Sequence, residues 1–211
     1  MAAEYAIIDF ETTGVSAGWH RIIEVGAVRV RGGTVVGTFS QLLDPGVSIP
    51  AFITGLTGIS NAMVRGQPSP EQVMPALCAF LGDCPAVAHN ASFDAGFYRA
   101  ELARAGLADE RPFLCTLRLA RRLVPDAPNH QLGVLARHLQ LEPPAGFRAH
   151  RALGDALLTA ALWDRLTRRL SARLGGATPE FAVYQAVMSK PRPAAERYLQ
   201  QLAASGVTRD A

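Results

Sequence analysis

The residue pattern predicts an α/β protein in which helices flank a mixed β-sheet. Three observations lead there. The first apolar segments form a strand and then a hairpin, with no helix between them. Farther on, short apolar strands alternate with helical periodicity. The 211-residue chain is 49% apolar and 18% charged, which allows a large core in one domain of ordinary size and excludes global disorder.

Residues 4–10 read as a strand. "RIIEVGAVRVRGGTVVGTFSQLL", 21–43, holds two β-branched runs around Gly32-Gly33, a hairpin signal. "DPGVSIPAF" reads as a loop, and "LTGISNAMV" carries a helical turn or two. Residues 69–82 open with Ser69, Pro70 and Glu71 and continue with helical apolar spacing. Ser69 suits the cap and Pro70 the first helical position. "PAVAHN" holds a short buried strand over 85–88. "SFDAGFYRAELARAG", 92–106, is a helix that Gly106 ends, with Asn90 or Ser92 as cap. "FLCT" is the fifth strand. "LRLARRLV", "QLGVLARHLQL" and "HRALGDALLTAALWDRLTRRL" (150–170) are helices. From 171 the texture changes. Gly175-Gly176 and Pro179 mark a linker, and helical segments follow over about 179–190 and 193–204. The expected organisation is therefore a main domain over 1–172 and a helical C-terminal extension, 173–211, with no assigned role.

Composition narrows function less. Net charge is +3 and the pI about 9.0, which fits nucleic-acid binding weakly. Only Lys190 is a lysine, so a general bias toward Ala, Arg, Gly and Pro explains the balance as well. Arg165, Arg168, Arg169 and Arg173 fall on one helix side, as a solvated face or a track for a phosphate backbone or partner. Cys78, Cys84 and Cys115 form no CxxC pair and suit a reducing cytoplasm. The start "MAAEYAIIDFE" lacks the basic region of a signal peptide. No apolar run has membrane-spanning length, so no membrane association is expected.

Three stretches carry chemistry. In "AIIDFETTG", Asp9 and Glu11 lie two apart on a strand and so share a face at its end. Two like charges there raise each other's pKa unless a cation intervenes, and hard divalent ions prefer carboxylate oxygens. A solvent-facing pair is the bland alternative, at odds with the apolar Ala6-Ile7-Ile8 before it. In "HNASFDAGF", Asp94 falls in a helix's first turn, where the helix dipole alone accounts for an acid. In "AHRALGD", His150 and Asp155 are five apart, about 140° on a helix, so they converge only if His150 precedes the helix and folds back. An ordinary surface pair is the alternative.

Taken in order, "DFETTG", "HNASFD" and "HRALGD" resemble the three motifs of the DnaQ-like 3′–5′ exonucleases of the DEDDh type, which include epsilon proofreading subunits of DNA polymerase III. The connectors "RIIEVGAV", "LTGIS" and "NHQLGVLARHLQL" match as well, and the resemblance covers about residues 5–170. It implies a ribonuclease H-like fold with a central five-stranded mixed sheet, its first three strands antiparallel. It implies four metal-binding acids, Asp9, Glu11, Asp94 and Asp155, holding two divalent ions, Mg²⁺ or Mn²⁺, with His150 as general base. It further implies that backbone N–H groups of Thr12 and Thr13 bind the terminal 3′-hydroxyl, that Leu56 wedges between the last two bases, and that Phe93 stacks on a base or sugar. Plain core packing is the alternative for Leu56 and Phe93. The expected partner is the 3′ end of single-stranded DNA, with a DNA polymerase in the case of a proofreading subunit. RNA trimming, or an inactive nucleic-acid-binding or polymerase-docking module on the same fold, are the other readings. Trp19 and His20 depart from the small polar residues common after the first motif, and Cys115 stands where relatives often carry Asp.

Overall fold

A computed structural model describes residues 3–143 and 146–205. The last six residues of the expected extension, 206–211, lie outside them. Five strands form one sheet: β1 (Glu4–Thr12), β2 (Ile22–Arg31), β3 (Thr34–Leu42), β4 (Ala86–Ala88) and β5 (Phe113–Cys115), in the order β3-β2-β1-β4-β5. β1 pairs antiparallel with β2, and β2 with β3. β4 joins β1 in parallel, and β5 joins β4 likewise. Gly32 and Gly33 turn the hairpin with φ of 57° and 82°, which residues bearing a Cβ rarely adopt. The expected mixed sheet with three antiparallel strands is therefore present.

β1 is the centre, and its residues alternate between two cores. Tyr5 and Ile7 face the long helix α7 (Ala152–Arg173), packing with Leu162, Trp163 and Leu166. Ala6, Ile8 and Phe10 face the opposite layer, built from α3 (Pro70–Leu81) and α4 (Ala91–Arg104), and meet Leu77, Phe97 and Tyr98. Asp9 and Glu11 continue the odd-numbered row, so their carboxylates emerge on the α7 side of the sheet.

Two short helices, α1 (Ala51–Thr57) and α2 (Asn61–Val64), follow the hairpin. Residue 51 was expected in a loop. Gly55 and β-branched Ile53, Thr54 and Thr57 are weak helix formers, but Ile53 is buried among Ile23, Ile49, Ile59 and Val64, and that contact holds α1. Ser69 and Gln72 form a reciprocal capping box on α3, as the residue types suggest.

α5 (Thr116–Leu123) and α6 (Leu132–His138) connect β5 to α7. The final pair, α8 (Phe181–Ser189) and α9 (Arg192–Ser205), packs on the α7 side of the sheet. Tyr184 of α8 stacks within 4.6 Å of Trp163 and 6.1 Å of Tyr5, centroid to centroid. Its hydroxyl bonds to the Thr167 hydroxyl at 3.1 Å. Val187 and Leu199 are also buried there, and each such side chain contributes about 1.5–3 kcal/mol.

Candidate active site

Three elements deliver the acids to one place. β1 ends in Asp9 and Glu11. α4 begins after β4 with Asn90 as its cap residue, in the left-handed region at φ 68° and with no side-chain capping bond. Neither Asn90 nor Ser92 caps α4 by a side-chain bond. The bend turns the first turn of α4 back over the sheet, so Asp94 is buried and its Oδ1 accepts the Phe10 N–H at 3.3 Å. α7 starts at Ala152, two residues later than the periodicity suggested. His150 therefore lies outside the helix, with φ of 60°. Its N–H donates to Asp155 Oδ2 at 2.8 Å, the fold-back that convergence required. Ligand atoms of Glu11, His150 and Asp155 lie within 4.8 Å of one another.

These groups line one cleft of about 230 Å³, together with Thr12, Leu56 and Phe93. The structure thus gathers eight of the nine residues singled out from the sequence. Thr13 is the exception. It is buried, its N–H donates to the Arg21 carbonyl at 2.9 Å, and its hydroxyl accepts the Arg21 N–H at 3.0 Å. That N–H is spent on fixing the loop after β1 and is not available to a 3′-hydroxyl. Leu56 stands 52% exposed on the rim, so packing in the core does not explain it. Phe93 is half-buried against Phe97, 4.9 Å between centroids, so it both packs and faces the cleft. Trp19 is solvent-exposed, while the His20 ring lies over Gly14 and its Nδ1 accepts the Ser16 N–H at 3.1 Å.

The electrostatics are those of acids crowded without a cation. Burial first, then the charges of Asp94, Asp155 and Glu11, hold the Asp9 carboxyl well above the usual range. Burial first, then the charges of Asp155, Glu24 and Asp94, push Glu11 up to about 8, with Arg151 pulling the other way. Burial also raises Asp94 and Asp155, against hydrogen bonds from the Phe10 and His150 N–H groups respectively. Oxygen donors whose charges raise one another suit a hard divalent cation, which relieves both burial and repulsion at once. The residues fit such a group.

Two supporting residues were not foreseen. Glu24 of β2 lies opposite Glu11 in the β1–β2 register and is buried. It accepts Arg151 Nη2 at 2.7 Å, Arg151 Nε at 3.1 Å and the Ala152 N–H at 2.9 Å. Opposed glutamates would repel, and Arg151 relieves this while pinning the start of α7. The lone acid in "RIIEVG" was the only signal for Glu24. Its partner, 127 residues away, left none. His89 is the other. Its ring bonds to the Thr116 hydroxyl at 2.9 Å and the His130 carbonyl at 3.0 Å, and burial lowers its pKa to about 4, so the ring is neutral.

Among the described residues, no helix is long and apolar enough to cross a membrane. Comparison with known proteins gives a consistent set. The RNase_T family model, described as an exonuclease, matches residues 6–163. The chain is 42% identical over 159 residues to a PolC-type DNA polymerase III of Clostridium perfringens, covering 75% of this chain and 11% of that protein. It is 37% identical over 172 residues to the DNA polymerase III epsilon subunit of Aquifex aeolicus, covering 81% and 84%. The chain thus spans only about a tenth of the PolC-type relatives but most of the epsilon relative. Among solved structures it resembles exonuclease X in complex with 5′ overhanging duplex DNA, at 34% identity and a TM-score of 0.64, covering 78% and 91%. The E. coli exonuclease I complex with dT13 shares the fold, with a TM-score of 0.70 at 18% identity over 82% of this chain and 42% of that one.

Proposed function

The chain belongs to the RNase_T exonuclease family, and from that premise we propose that it shortens single-stranded DNA from the 3′ end, releasing nucleoside monophosphates, with divalent metal as cofactor. The carrying observation is the convergence of Asp9, Glu11, Asp94, His150 and Asp155 from three separate elements into one cleft.

Asp9, Glu11, Asp94 and Asp155 would hold two Mg²⁺ or Mn²⁺ ions. Such ions lower the pKa of bound water and stabilise charge on the phosphoryl group and the leaving oxygen. The chain's own residues do the rest. His150 takes the proton of the attacking water, a role suited to imidazole near neutral pH. The bond from its N–H to Asp155 ties base and ligand into one unit. The water oxygen bonds to phosphorus as the bond to the upstream 3′-oxygen breaks; that oxygen takes up a proton from solvent, and His150 returns its own to solvent before the next turnover.

Thr12 and the exposed Leu56 edge the space for the terminal nucleotide, and Phe93 offers a ring face, on which any base can stack. We further propose residues 1–172 as the catalytic unit, with α8 and α9 buttressing α7 and the face of the sheet it covers. The PolC-type and epsilon relatives support a cytoplasmic proofreading role beside a DNA polymerase.

The test is degradation of 5′-labelled single strands, DNA and RNA side by side, in Mg²⁺, Mn²⁺ or EDTA. Metal-dependent shortening of DNA from the 3′ end is expected. Asp155→Ala should abolish it with the thermal transition largely preserved. A variant that kept near-full activity would overturn the assignment, and faster loss of the RNA strand would replace DNA as the substrate.

A further inference from the structure

His89 lines more than the acid cleft. It also borders a second groove of about 600 Å³, so the two spaces adjoin at this residue. Asn90, at the same corner, occupies the left-handed region, a backbone strain that clusters at functional sites. Leu117 and Arg121 of α5 form one wall, and residues 129–132, leading into α6, form the other. The His89 bonds to Thr116 and His130 fasten both walls to the end of the sheet that carries the acids. The groove is thus held in a fixed position beside the cleft.

Its lining is unlike the cleft's. Arg121, Asn129 and Gln131 are exposed, and Leu117 and Leu132 are half-buried beneath them. Among the described residues no carboxylate lies within ion-pair distance of Arg121. A cation without an acid partner, two side-chain amides and an apolar strip are the groups that take a phosphate, base edges and a sugar or base face. The acid cleft offers no cation of its own for the rest of a polyanion. A strand that continues past it needs one where it leaves.

We propose that this groove holds the nucleotides immediately 5′ of the scissile bond, with Arg121 on a phosphate of the strand. The proposal rests on the exonuclease reading above.

Two substrates separate the two claims. In the p-nitrophenyl ester of thymidine 5′-monophosphate, nitrophenolate replaces the upstream strand. In an oligothymidylate the strand is present. The readout is the ratio of kcat/KM for the oligomer to that for the ester. Arg121→Ala should lower this ratio roughly three- to tenfold, Arg121→Glu further, and Arg121→Lys should keep most of it. The slope of log KM against log salt for the oligomer should shrink by about 0.7 in Arg121→Ala, the value for one lost single-strand phosphate contact. Arg197→Ala, on an exposed face of α9, should leave ratio and slope as they are. Metal-dependent cleavage of both substrates with an unchanged ratio in Arg121→Glu overturns the groove alone. Cleavage of neither substrate by the unaltered protein overturns the exonuclease reading itself.

Discussion

Gly26 and Ala152 meet backbone to backbone: a Cβ on Gly26 would lie 2.2 Å from the carbonyl carbon of Ala152. Gly26 is the register partner of Asp9, so the first turn of α7 rests on the sheet beside that acid. No side-chain rotation can relieve the clash, because the obstructing atoms are main chain. Gly26→Ala must therefore lift the start of α7, carrying His150 and Asp155 away from Asp9 and Glu11. Overpacking of this kind costs about 1–3 kcal/mol. The expected result in urea melts is a loss at or above the top of that range, with nuclease activity falling far more than stability. A variant of near-normal activity would show that α7 need not sit so close.

Glu11 sets a pH dependence of the metal-free protein. Its carboxyl is pushed up from 4.5 to about 8 in the folded state. The folded protein therefore binds the proton more tightly than the unfolded chain does, and stability falls as pH rises from about 4.5 to 8. Asp9, Asp94 and Asp155 shift in the same direction. In EDTA the melting temperature should climb as pH drops from 9 toward 6. Glu11→Gln should raise the unfolding free energy at pH 8.5, since it removes a penalised charge, by an amount on the order of a few kcal/mol. Mg²⁺ or Mn²⁺ should restore stability to the unaltered protein at pH 8.5 and do less for the variant. Calorimetry at two pH values, with and without metal, decides it. A flat profile in EDTA would count against the crowded-acid description.

Glu24 and Arg151 act on His150 at one remove. Their pair and the Glu24 bond to the Ala152 N–H fix the residues on the C-terminal side of His150. Arg151→Ala leaves a buried carboxylate unpaired, which costs about 2 kcal/mol after discounting for the partial exposure of Arg151. Glu24→Gln keeps an acceptor and should cost less. Both should depress kcat with little change in KM, because the substrate contacts lie elsewhere. In a double-mutant cycle the two changes should be far from additive. Additive effects, or a rise in KM alone, would remove the pair from the positioning of the base.

The ease of reading this site from sequence follows from how each part is encoded. The acids announce themselves because strand alternation and first-turn positions are local properties. "AIIDFE" and "HNASFD" carry their context within a few residues, and Asp9, Glu11 and Asp94 emerge where that context puts them. The sheet is legible for the same reason, with Gly32-Gly33 marking the tight hairpin between β2 and β3. Other features were hidden because their causes are tertiary. α1 forms against its weak propensity because Ile53 finds a core. The Thr13 N–H is engaged because Arg21 returns beside it across a bulge. Glu24 is buried because a guanidinium arrives from a distant helix start. No window of sequence contains both members of these contacts.

Leu56 offers a test in which function and packing predict opposite outcomes. Its side chain stands at the cleft rim with Val15, both exposed, while Ile53 one turn earlier is buried. A leucine that served the core would cost about 2–5 kcal/mol when cut to alanine. An exposed one should cost within about 0.5 kcal/mol. Wedging between bases needs an apolar surface that is bare until substrate arrives, as this one is. Leu56→Ala should therefore keep its melting temperature and lose efficiency on oligonucleotides through KM. The loss should shrink on the nitrophenyl ester, which has no second base to part from the first. Equal losses on both substrates would mean that Leu56 shapes the pocket for the terminal nucleotide and does not separate neighbours.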